Sequence, residues 1–144
     1  AAFVAAIGFI PVDVFHVRLF PRPAPWGSAI GLALFLTGWW IVTRALAANA
    51  FALPVVKAQQ DRGQRVVEHG PYAIVRHPMY AGIALVLIGM PLWLESVAGM
   101  LAALVPIAIL AVRIGLEERF LRRELAGYAA YAARVRFRMI PGLW

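Results

Sequence analysis

The most unusual stretch of the chain is Gly70-Pro71-Tyr72-Ala73-Ile74-Val75-Arg76-His77-Pro78-Met79-Tyr80-Ala81-Gly82, where two tyrosines, an arginine and a histidine crowd the start of an apolar run. A charged Arg76 and a titratable His77 beside hydrocarbon are costly unless paired, hydrated or used in chemistry. Pro71 and Pro78 would hold such a loop in a defined shape, because the ring fixes φ. A purely structural reading has Arg76 reaching lipid phosphate, Tyr72 and Tyr80 in an interfacial aromatic belt, and the prolines opening a helix. Composition alone does not separate the two.

A second constellation, Arg113-Ile114-Gly115-Leu116-Glu117-Glu118, stands where a later apolar run ends. Arg113 and Glu117 are four apart, so on a helix they share a face and can pair. The structural alternative is a plain intrahelical ion pair with Glu118 solvated. If the intervening chain forms a hairpin, each cluster marks the end of one of its arms. They could then line one pocket, with Tyr72, His77 and Tyr80 on one wall and Arg113 and Glu117 on the other.

Other chemistries find less support. The three histidines, His16, His69 and His77, lack the HxxxH or HxxE spacing of a metal site. Without Cys there is no thiolate ligand or nucleophile, and neither a Walker loop nor GxGxxG occurs. Asp13 and His16 read as a polar packing pair or a substrate contact, with packing favoured, and His69 as a solvated loop residue.

The elements that must position these clusters follow from composition. Of 144 residues, 62% are hydrophobic and 15% charged, far from the balance of a soluble domain. Apolar runs long enough to cross a hydrocarbon core of about 30 Å recur. The expected fold is an all-α, polytopic integral membrane bundle forming a single domain over residues 1–144. Its spans are expected at about 1–20, 26–48, 79–94 and 97–116, the last two as a hairpin turning at Glu95 and Ser96.

Residues 21–25, PRPAP, form a stiff connector, and Pro91 is placed to kink the third span. A polar loop fills 49–78 and an amphipathic surface segment 117–144. Abundant alanine suggests close packing through small residues. The chain opens with Ala1 inside an apolar stretch, so a missing native N-terminus is expected.

Charge sets the orientation. A hairpin puts residues 49–78 and 113–144 on one side, with Lys57, Arg62, Arg65, Arg76, Arg113, Arg119, Arg122, Arg123, Arg134, Arg136 and Arg138. The other side keeps Arg18 and Arg22. By the positive-inside rule the polar face and its pocket are expected to be cytoplasmic; the expected membrane is a bacterial inner membrane. The net charge of +7 thus reflects topology and contact with membrane lipids, and no nucleic-acid partner is expected.

The order GPYAIVRHPMYAG, then a membrane hairpin, then EERFL, YAAY, RV and IPGLW resembles the isoprenylcysteine carboxyl methyltransferase family and its bacterial relatives over about residues 49–144. That family is related in motif to phospholipid methyltransferases. The resemblance implies an S-adenosylmethionine cofactor bound without a Rossmann domain. It places Gln64, Arg65, Val66, Val67, Tyr72, His77, Pro78, Met79, Tyr80 and Glu117 at the cofactor and Arg113 at the substrate.

Methyl transfer from a sulfonium needs mainly alignment and exclusion of water. A carboxylate acceptor needs no general base; Arg113 would orient it, and Arg76 would fix the loop or help hold the anion. The expected acceptor is lipidic or prenylated. The alternatives are N-methylation of a phospholipid or lipid amine, which requires a base or a depressed amine pKa, and a non-catalytic scaffold or small transporter.

Overall fold

The structure is a computed structural model that describes residues 1–49 and 65–144. All regular elements among them are helical: α1 (Ala2–Val12), α2 (Pro25–Ala48), α3 (Pro78–Trp93), α4 (Val97–Ala102), α5 (Leu104–Glu124) and α6 (Tyr128–Arg134). A π-helical turn, Asp13–Val17, follows α1, and a 3-10 turn, Gly70–Ala73, precedes α3. The chain divides into two compact units, Ala1–Trp40 with Gly82–Leu110 and Ile41–Ala81 with Ala111–Trp144.

Two helical stretches, Pro25–Ala48 and Val97–Glu124, are long and apolar enough to cross a bilayer. Ala2–Val17 and Pro78–Trp93 are apolar but shorter. The two long stretches leave large side chains exposed, among them Trp26 at 71%, Trp40 at 64% and Val112 at 65%. Water would disfavour so much apolar surface, whereas lipid tails solvate it. The protein is accordingly a membrane protein. The fourth expected span is interrupted at Ala103, because Pro106 has no N–H to give the carbonyl four residues back. It also outruns its expected end: α5 continues to Glu124, so Arg113, Glu117 and Glu118 all lie on one regular helix.

In the first unit, helices approach closely where glycine removes the side chain. A Cβ on Gly31 would collide with the backbone of Leu92 and Trp93, one on Gly38 would lie 2.6 Å from the Gly82 carbonyl, and one on Gly89 would strike Phe35 N. Small residues do the packing here, with glycine of α2 and α3 rather than alanine at the tightest points. Asp13 ends α1 as a buried acceptor: Ser96 Oγ donates to it at 2.6 Å and Leu19 N at 2.9 Å. Ser96 also caps α4, accepting from Gly99 N at 2.9 Å. His16 is exposed, so the partner of Asp13 is Ser96 and not His16.

In the second unit, residues 117–144 form no continuous surface helix. After α5 the chain turns at Gly127, whose φ of 84° suits glycine. It makes the short α6 and then runs irregularly from Val135 to Trp144. Tyr128, Tyr131 and Ala132 are buried, packed by Val66, Leu121, Leu125 and Val135.

Candidate functional site

The polar residues of the second unit converge on Glu118, which is only 3% exposed. It follows Ile114 by four residues, so both point to the buried side of α5. Its Oε1 accepts from Arg76 Nε at 2.6 Å and lies 3.3 Å from His77 Nε2. Its Oε2 accepts from Arg138 Nε at 3.1 Å. A buried carboxylate is tolerable only with such partners, because desolvation of one unpaired ion costs several kcal/mol.

Arg76 also reaches the segment after α6. Its Nη1 donates to the carbonyls of Val135 at 2.7 Å and Arg136 at 2.8 Å. The next two carbonyls, of Phe137 and Arg138, accept from the backbone amides of Arg76 and His77 at 3.0 and 2.8 Å. Four successive carbonyls are thereby taken up by two residues of the loop before α3. The planar guanidinium supplies the donors for two of these carbonyls and for Glu118, and backbone amides supply the other two. The end of the chain is fastened further by Arg138 over the Trp144 ring at 5.4 Å and by Met139 N and Ile140 N on the Trp144 carbonyl, both at 2.9 Å.

Beside this closed core, the buried Tyr80 links two more accessible charges. Tyr80, on the first turn of α3, donates from its hydroxyl to Glu117 Oε2 at 2.8 Å and accepts from Arg113 Nε at 2.9 Å. Arg113 and Glu117 themselves are 4.0 Å apart, with side chains 32% and 24% exposed. The rings of His77 and Tyr80 stack at 5.6 Å and 10°. Neighbouring glutamates on one helix thus differ sharply: both oxygens of Glu118 are engaged with cations or imidazole, while Glu117 sits at the rim. Adjacent helix positions are about 100° apart, which separates an inward side chain from a lateral one.

The tyrosines complete the surroundings. The Tyr131 hydroxyl donates to the Tyr72 carbonyl at 2.8 Å. The Tyr128 hydroxyl is buried and has no partner among the described residues. Burial pushes the phenols of Tyr72, Tyr128 and Tyr131 well above their usual range; Glu118 adds to the rise at Tyr128, and a hydrogen bond with Asn49 opposes it at Tyr72.

The structure therefore brings together Arg76, His77, Tyr80, Arg113 and Glu117 in one cluster. Pro78 is the buried first residue of α3, and Met79, half-buried, follows it. Tyr72 is buried in the 3-10 turn, Val66 packs against Tyr128 and Tyr131, Val67 is half-buried and Arg65 is exposed. Gln64 lies outside the described residues. Sequence reasoning passed over Glu118 as a buried hub and Arg138 as its partner. The available signal was the interval of four from Ile114, which places Glu118 and not Glu117 on that residue's face.

A sequence profile of the phospholipid methyltransferase family matches residues 26–127. The chain belongs to the phospholipid methyltransferase family. It is 28% identical over 138 residues to protein-S-isoprenylcysteine O-methyltransferase B of Arabidopsis thaliana, an alignment covering 94% of this chain and 69% of that protein. It is 30% identical over 122 residues to methanethiol S-methyltransferase of a Pseudomonas species, covering 78% of this chain and 46% of the relative. Membership, with both relatives named as methyltransferases, makes the chain a methyltransferase. The matched region takes in both polar clusters, and it includes every residue of the Glu118 hub except Arg138.

Proposed function

We propose that the chain transfers a methyl group from S-adenosylmethionine to a lipidic acceptor at the cytoplasmic interface of a polytopic membrane bundle, most simply by O-methylation of an isoprenylcysteine-like carboxylate. The observation that carries this reading is the pairing of a partly exposed cation, Arg113, with a partly exposed carboxylate, Glu117, through one phenol, Tyr80. The residues present suit the cofactor: Glu117, partly exposed, can accept from an ammonium or a ribose hydroxyl, and the buried, stacked rings of His77 and Tyr80 back that position with an aromatic layer. In the same role, Gln64 to Val67, Tyr72, Pro78 and Met79 would line the cofactor. When bound, it supplies an electrophilic methyl group on a sulfonium.

The chain's own part is alignment. Arg113 presents a guanidinium fork that can hold a carboxylate acceptor, already ionised near neutral pH, so no protein base is required. Arg76 does not face the substrate directly in this account. It holds His77 and the terminal segment around Glu118 and so fixes the wall that the reactants meet. The apolar helices give a lipid tail its route of approach, and exclusion of water follows from the same surfaces.

Methylation of a small thiol is the second reading, favoured by the similarity to methanethiol S-methyltransferase. The two separate on acceptor charge. Offered a prenylated cysteine with a free carboxylate, Arg113→Ala should lose at least about 100-fold in kcat/KM, a loss of roughly 3 kcal/mol in transition-state stabilisation, while still binding the methyl donor. Turnover of a small alkanethiol but not of the carboxylate would establish the second reading. Turnover of the carboxylate unaffected by Arg113→Ala would remove Arg113 from the assignment.

A further inference from the structure

The two tyrosines of α6 have unequal fates. Tyr131 donates its hydroxyl to the Tyr72 carbonyl at 2.8 Å, whereas the hydroxyl of Tyr128, in a residue only 4% exposed, has no partner among the described residues. Buried hydroxyls are nearly always satisfied, and a persistent exception calls for a reason. Packing does not require the hydroxyl: the Tyr128 ring lies against that of Tyr131 at 5.7 Å within a cluster that Val66, Leu121, Leu125 and Val135 cover, and a phenylalanine would fill that space equally well. Surroundings narrow the role further. Val66, of the segment proposed to line the methyl donor, packs against the cluster that Tyr128 forms with Tyr131 and Ala132, and the charges of Glu118, Arg76 and Glu117 act on the Tyr128 phenol.

We infer that the Tyr128 hydroxyl is a ligand-binding group held in reserve, donating a hydrogen bond to a polar acceptor atom of the bound nucleoside sulfonium. The inference rests on the donor-binding role proposed above. A phenol buried here stays protonated at physiological pH and can only be a neutral donor or acceptor, so its part is recognition and not acid or base chemistry. Both the sulfonium donor and its thioether product share the nucleoside, so the contact serves both.

The test compares the full chain with Tyr128→Phe and Tyr131→Phe in lipid nanodiscs. It measures the thermal midpoint without ligand and the Kd for S-adenosylmethionine and S-adenosylhomocysteine by titration calorimetry. Tyr128→Phe is expected to keep or raise the ligand-free midpoint, since it removes an unsatisfied group, and to weaken both ligands about 2- to 10-fold, the net worth of one hydrogen bond. Tyr131→Phe should instead lower the ligand-free midpoint, through loss of its bond to Tyr72. A Tyr128→Phe chain that binds both ligands as the wild type does, or whose ligand-free midpoint falls, overturns the inference while leaving the functional reading intact. Absence of binding by the wild-type chain overturns both.

Discussion

Glu117 and Glu118 are chemically identical neighbours with different work, and the difference is a matter of which way each faces. Glu118 is enclosed by Arg76, His77 and Arg138, so removing its charge strands a nearly buried guanidinium. Glu118→Ala is expected to cost about 3–5 kcal/mol of stability, the usual penalty for breaking a buried pair. Glu117→Ala, at a partly exposed pair, should cost less than about 1 kcal/mol. Urea unfolding of the detergent-solubilised chain measures both, and equal losses would contradict the division. The sequence exposed the pair of clusters but not this division. Before Glu117, α5 carries a single charged residue, Arg113, which lies on the face of Glu117, so no polar residue marked the inward direction that Glu118 takes. The four carbonyls of residues 135–138 that meet Arg76 and His77 carry no sequence signal at all, because backbone groups are the same at every residue.

At the scale of elements, the helices were legible from run length and their interruptions less so. Proline explains the break at Ala103, yet Pro11 and Pro91 lie within helices that continue through them. What decides is whether the freed carbonyl finds another donor, which is a tertiary matter. The amphipathic segment expected over 117–144 is divided, because Tyr128 and Tyr131 are buried and Gly127 turns the chain between the end of α5 and the short α6. Glycines divide in the same manner. Gly38 meets the Gly82 carbonyl and Val86, whereas a Cβ on Gly8 meets nothing within 4 Å. Gly38→Ala should therefore lower the thermal midpoint by several degrees, and Gly8→Ala should leave it unchanged or raise it by restricting the unfolded helix. A Gly38→Ala chain as stable as the wild type would show that α2 can move aside.

For the whole molecule, the long apolar stretches and their exposed tryptophans make lipid the solvent, and the lopsided arginines are the ground for the cytoplasmic orientation proposed above. The absence of Cys from the sequence allows a direct check by single substitutions. In sealed inside-out vesicles, an impermeant thiol reagent should label His69→Cys and Arg136→Cys, both at exposed positions, and spare Arg22→Cys. The reverse pattern would invert the proposed topology.

The central claim is that the rim beside the Glu118 hub holds the methyl donor, and equilibrium binding of labelled S-adenosylmethionine to the full chain in nanodiscs tests it most directly. The account predicts saturable binding by the wild type, weakened at least about tenfold, or 1.4 kcal/mol, in Glu117→Ala with little change in folding. Binding by Glu117→Ala at wild-type strength, or none by the wild type, would contradict it.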